Sequence, residues 1–188
     1  MTVYKVDGIG TRKDGSGGEV ANFSEGNKRF IRIGMYVDQG GSDSDFKKGD
    51  AVAIEIGSGD IIINGVNTAA KDYIGLGNMV VLADSDTADH RGLCIGVLGE
   101  DVSIAAGEYK YVSVQVSGLA TVGTDDSATA GDILVLSADA GGLRKFDADA
   151  DNDQGFVKVA IALEADATDL NVTAGDSCQA ILLNPLGL

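Results

Sequence analysis

The sequence predicts an all-β protein: small β-barrel or sandwich units made by an internal repeat, preceded by an extended, glycine-rich N-terminal arm. Three observations predict it. Short runs of β-branched and aliphatic residues are separated by glycine and aspartate about every 8–12 residues, the spacing of sandwiches and small barrels. Glycine is abundant, with 27 residues, and proline occurs once. No segment carries a 3.6-residue apolar stripe over three turns, the mark of an amphipathic helix.

The first 28 residues form the expected arm. "DGIGTRKDGSGGEVANFSEGNKR" is polar and weakly patterned, so it buries too little apolar surface to offset the entropy of ordering it alone. Strands are expected at "RFIRIGMYV", "AVAIEI", "DIIING", "MVVLA", "LCIGVL", "EYKYVSVQV", "LATV", "DILVLS", "LRKF", "VKVAIALE" and "CQAILL". Ile31, Ile33, Met35 and Val37 fall on one face of the first, and Val112, Val114 and Val116 on one face of another, the period of a half-buried strand. The arm is set at residues 1–28, a first β domain at 29–122 and a second β unit at 123–188, with the boundary inside Ser117–Gly131; one continuous β domain is the alternative.

The repeat rests on three likenesses. "GNMVVLADSD" (Gly77–Asp86) resembles "GDILVLSADA" (Gly131–Ala140), "GLCIGVLGED" resembles "FVKVAIALEAD" with Glu100 on Glu164, and "AAGEYKYVSVQV" resembles "TAGDSCQAILL". A further copy begins at "KKGDAVAIEI" (Lys48–Ile56). In "AGD" the glycine supplies a positive φ for a turn, and the aspartate bonds nearby N–H groups as a strand begins.

At 188 residues the chain can bury roughly 70% of its unfolded surface without a disulfide framework. Its two cysteines, Cys94 and Cys178, sit in apolar runs and read as buried thiols. The opening "MTVYKVDGIGTRKDG" has no apolar leader core, so no signal peptide is expected. No run approaches the roughly 18 apolar residues of a membrane span. A net charge of −15 argues against nucleic acid as a partner, because phosphate binding runs on lysine and arginine.

Candidate chemistry is sparse. "KFDADADNDQGF" places Asp147, Asp149, Asp151 and Asp153 at alternate positions, a weak calcium candidate. Neither register has the glycine and bidentate glutamate of an EF-hand loop, so the run reads as a solvated connection. One histidine, His90, and two distant cysteines cannot supply four zinc ligands. Cys94 lies mid-strand, which disfavours a Cys–His nucleophile. "GTRKDGSG" lacks the Gly-Lys-Ser/Thr ending of a phosphate loop. Glu100 and Glu164 read as strand-end carboxylates that meet backbone N–H groups rather than as an acid/base pair. No cofactor and no enzymatic activity are expected.

The second half resembles the capsid decoration (cement) proteins of tailed bacteriophages. The residues that carry the likeness are Ala130–Asp132, Val159–Glu164 and Ala174–Asp176, within "TAGDILVLSADAGGLRKFD…VKVAIALEADATDLNVTAGDSCQAILLNPLG". It spans about Thr129 to Leu188, with a looser echo in Gly77–Val116. The resemblance implies a small β-rich virion protein on the capsid exterior, made in the host cytoplasm, commonly a homotrimer, that binds the major capsid protein and bridges its subunits. The arm would order on the lattice through Tyr4 and Phe23, with Lys5, Arg12, Lys13, Lys28 and Arg29 meeting acidic shell groups. The alternatives are a phage fibre, knob or tail-associated β domain that contacts the host surface, and, behind it, a bacterial surface or carbohydrate-binding module.

Overall fold

A computed structural model describes residues 23–25, 28–42, 44–55, 60–63, 66–69, 79–85, 93–125, 128–147, 156–169 and 171–184. Among them the chain forms no helix and fifteen strands: β1 (Phe23–Glu25), β2 (Lys28–Tyr36), β3 (Ser44–Phe46), β4 (Ala51–Glu55), β5 (Asp60–Ile63), β6 (Val66–Ala69), β7 (Met79–Leu82), β8 (Cys94–Leu98), β9 (Val102–Ile104), β10 (Tyr109–Thr124), β11 (Ile133–Leu136), β12 (Leu143–Lys145), β13 (Ala160–Ala162), β14 (Ala167–Thr168) and β15 (Asp176–Leu183). The protein is all-β.

Eleven strands bond in the order β1-β2-β7-β4-β8-β10-β12-β11-β13-β15-β14. Two additional pairings, β2 with β10 and β10 with β15, close this ribbon on itself twice. The first ring is β2-β7-β4-β8-β10 and the second is β10-β12-β11-β13-β15. Closure leaves the ring strands without free edges. Both rings follow one plan: a parallel step (β2 to β7, β10 to β12) and then antiparallel steps the rest of the way round. Two short pairs, β3–β9 and β5–β6, stand apart.

The strand β10 belongs to both rings. It pairs with β2 from Tyr109 to Ser117 and with β15 from Ser117 to Thr124. The sequence suggested two strands here, because Ser117–Gly118 reads as a break. Instead the chain bends and continues. The register slips by one residue between Gln115 and Ser117, and the buried Gln115 amide donates to Ser117 O (3.1 Å) and Leu119 O (2.9 Å). Those bonds give the Ser117 and Leu119 carbonyls a side-chain donor at the bend. Residues 122 and 123, between which the two β units were divided, both lie in β10.

Each ring has its own core. Ile31, Met35, Val52, Val80, Ile95, Leu98, Val112, Val114 and Val116 fill the first, and Val122, Leu134, Leu136, Leu143, Ala160, Cys178, Ala180 and Leu182 belong to the second. Each leucine or isoleucine so buried contributes roughly 1.5–3 kcal/mol. The strands β4 and β8 face both cores. Val52, Ile95 and Leu98 point one way, while Ala51, Ala53, Cys94 and Val97 point the other and pack on the second core. That is why "AVA" and "CIGVL" are unbroken apolar runs with no polar face.

The "GD" turns behave as the sequence predicts. Asp50 N–H donates to Lys47 O across Gly49 (φ +98°), and Asp132 N–H donates to Thr129 O across Gly131 (φ +91°). A glycine at this third turn position is the type II signature. The carboxylates return the bond, Asp50 accepting from Lys47 N (2.8 Å) and Asp132 from Thr129 N (2.9 Å). Beyond the turns, Gly49 and Asp50 bracket Leu98 with two backbone bonds, and Gly131 and Asp132 bracket Ala162 in the same way, each at 2.9 Å. The residues that bond alike are therefore Gly49 and Gly131; Gly77, which the sequence set against Gly131, lies outside the described residues.

Backbone bonds also join the rings directly. Ala51 N–H donates to Gly141 O (2.7 Å), Gly141 N–H to Ala83 O (2.8 Å), Ser85 N–H to Ser137 O (2.9 Å) and Gly123 N–H to Gly49 O (3.0 Å).

Candidate functional site

The two glutamates singled out in the sequence hold backbone. Glu100 accepts from Ser113 N–H (3.0 Å) while Gly99 N–H donates to Ser113 O (2.8 Å). Glu164 accepts from Gln179 N–H (3.1 Å) while Leu163 N–H donates to Gln179 O (2.8 Å). The same two-bond clamp occurs once on each ring, at the passage from β8 to β10 and from β13 to β15. The aspartates at strand starts act alike. Asp50 is fully buried and accepts from Thr173 as well as Lys47. Asp132 accepts from the Thr129 hydroxyl (2.6 Å) and pairs with Lys145 (3.0 Å), and these contacts hold its carboxyl below the usual carboxylate range.

Burial pushes the Cys94 thiol up to about 12, and Cys178, also buried, up to about 11. Both are protonated and inert near neutral pH. His90 lies outside the described residues. Of the calcium candidates, Asp147 is exposed just beyond β12, and Asp149, Asp151 and Asp153 lie outside the described residues. Among the described residues no group of three or more His, Cys, Asp or Glu comes together as metal ligands, and no helix is long and apolar enough to cross a membrane.

Of the expected arm residues, Tyr4, Lys5, Arg12 and Lys13 lie outside the described residues. Phe23 sits in β1, opposite Phe30 of β2. Lys28 and Arg29 open β2, half-buried, opposite Glu25 and Ser24. Farther along β2, Arg32 is exposed opposite Ser113, and Tyr36 lies opposite Tyr109. The rings of Tyr109 and Tyr111 meet edge to face, 5.9 Å between centroids. Burial, then Glu55 and Asp38, push the Tyr36 phenol up to about 12. The first ring thus carries a tyrosine-rich outer face with a guanidinium beside it.

The second ring carries an apolar face that the sequence reading did not single out. Ile133, Ile161, Ile181 and Leu119 stand directly opposite one another across β11, β13, β15 and β10, forming one row. Leu119 (45%), Leu163 (46%), Ile181 (42%) and Leu183 (41%) are the exposed large apolar side chains among the described residues, and all belong to these strands or their ends. The signal was present in "CQAILL": Cys178, Ala180 and Leu182 take the inner face, so alternation sends Ile181 and Leu183 outward. Reading the run as simply apolar conceals the surplus.

Set against family models, curated proteins and solved structures, the chain shows no match.

Proposed function

We propose that the protein is a virion structural component that binds the outside of an assembled tailed-phage capsid and stabilises it by bridging neighbouring subunits of the major capsid protein. The observation that supports this reading best is the fused pair of rings. Two closed barrels share one strand, are joined by backbone bonds and use their motif carboxylates to hold turns. That makes a stiff body, suited to resisting displacement between the surfaces it spans. The resemblance of Thr129–Leu188 to decoration proteins points the same way. On this reading the chain acts as a homotrimer, and the arm with Lys5, Arg12, Lys13, Lys28 and Arg29 adds contacts to the shell. Several weak contacts presented together give strong avidity, and binding only the assembled lattice stabilises it by mass action.

The test is addition of the purified chain to empty, expanded capsids of the phage that encodes it, followed by electron microscopy and heating. The expected result is a fixed number of copies per lattice site and a higher rupture temperature. Bare capsids would overturn the proposal, and label confined to the tail would favour the fibre or tail reading.

A further inference from the structure

We infer that the outer face of the second ring, centred on the row Leu119, Ile181, Ile161 and Ile133, is a docking surface for a flat, uncharged, apolar patch on the coat protein; this rests on the capsid reading above. The row is continuous by register, each residue the direct cross-strand partner of the next. Leu163 and Leu183 extend it on either side. The neighbouring outward positions of β10 and β15 are Thr121, Ser177 and Gln179, none of them charged, in a chain of net charge −15. Glu164, held at the Gln179 N–H, is a charge at the edge of this face. Over the row itself a partner group would lose its water with only apolar side chains against it, so the complementary surface there is apolar.

The corresponding place on the first ring is closed by the protein itself. There Phe30 and Gln115 face each other and both are buried. A Cβ on Gly99 would stand 3.0 Å from the Phe30 ring, so that ring lies against Gly99. On the second ring, Leu163 occupies the position of Gly99 in the glutamate clamp, and Leu119 faces Ile181 across the strands with both side chains open. One plan thus yields a covered face on one ring and an uncovered face on the other.

The size of the patch selects the kind of partner. Four large side chains a little over two-fifths exposed present on the order of 300 Å² of apolar surface. A stable two-body complex needs about 800 Å² from each partner. The face alone is too small to hold a second copy of this chain in dilute solution. It suits a lattice that offers the same patch many times and combines it with other contacts.

The test uses the full chain and two single substitutions, Leu163→Gln, which lies outside any strand, and Ile181→Thr, which keeps a β-branched residue in β15. Each is measured for co-sedimentation with empty, expanded capsids and, alone, for mass by sedimentation equilibrium. The expected result is that both variants keep the mass of the unsubstituted chain and bind capsids at least about tenfold more weakly. Binding within about twofold of the unsubstituted chain overturns the inference while leaving the capsid reading intact. A changed mass in both variants overturns it as well, because the face then serves copies of this chain. If the unsubstituted chain fails to bind, the capsid reading falls and takes this inference with it.

Discussion

Thr173 grips the buried carboxylate of Asp50 with both of its donors, the N–H at 2.9 Å and the hydroxyl at 2.5 Å, across 123 residues of chain. Asp50 stands at the start of β4 in the first ring. Thr173 stands in the turn before β15 in the second. Together with the Lys47 N–H (2.8 Å) they give both oxygens of a carboxylate shut off from water a donor.

Removing that carboxylate leaves buried donors unpaired. Asp50→Ala should cost about 3 kcal/mol or more. Thr173→Val, which removes one hydroxyl bond and keeps the shape, should cost about 1 kcal/mol. Urea unfolding followed by circular dichroism checks both, and equal midpoints for the two variants would contradict the account.

Two glycines should respond differently to alanine. At Gly96 a Cβ would fall 2.1 Å from Gln115 O, inside the backbone of β10. Neither strand can retreat without opening the first ring, so Gly96→Ala should cost at least about 4 kcal/mol or prevent folding. At Gly131 nothing lies within 4 Å of the added carbon, and only the positive φ opposes it. That strain amounts to about 1 kcal/mol. Soluble yield and thermal melts of the two variants separate the effects.

The glutamate clamps should be mechanical. Glu100→Gln and Glu164→Gln keep an acceptor for Ser113 and Gln179, so each should shift stability by less than about 1 kcal/mol and, on the proposed capsid reading, leave co-sedimentation with shells unchanged. The double variant, assayed by melting and co-sedimentation, checks this. Turnover of any small molecule that depends on these side chains would refute it.

Stability should fall at both ends of the pH scale. Cys94, Cys178 and Tyr36 are raised in the folded chain, to about 12, 11 and 12, chiefly by burial. The unfolded chain therefore loses these protons first. Their contribution is whole below about pH 9 and drains away as pH rises through 11–12. Asp132 and Asp169 are lowered, Asp132 first by the Thr129 hydroxyl and Asp169 first by the Asn171 N–H. Their contribution is whole above the ordinary carboxylate range and is lost as pH falls through it. A melting profile against pH should be flat in the middle, and Tyr36→Phe should soften its alkaline fall. Aromatic disulfide reagents should reach neither thiol at pH 8 until the chain is unfolded.

The strands were legible because each ring strand needs an inner face, and alternation or an unbroken apolar run records it. Ile31, Ile33 and Met35 do face the first core, as do Val112, Val114 and Val116. The turns were legible because only a Gly-Asp pair combines a positive φ with a short acceptor. The continuity of β10 was not, since Ser117–Gly118 looks like an ending and the Gln115 amide that rescues it is a tertiary detail. The short strands β1, β3, β6, β9 and β14 were missed for want of length. The tie between Asp50 and Thr173 leaves no mark in either local sequence. Of the candidate surface, Lys28 and Arg29 fall on β2, but the apolar row exists only once four separated strands are set in register.

Because one strand is the wall of both barrels, the chain has no half that can melt by itself. Loosening β15 strips β10 of its partner from Ser117 onward, and loosening β2 strips the same strand before it. Unfolding should therefore be a single cooperative transition, alike by every probe. A load applied to either barrel is carried along one polypeptide segment into the other.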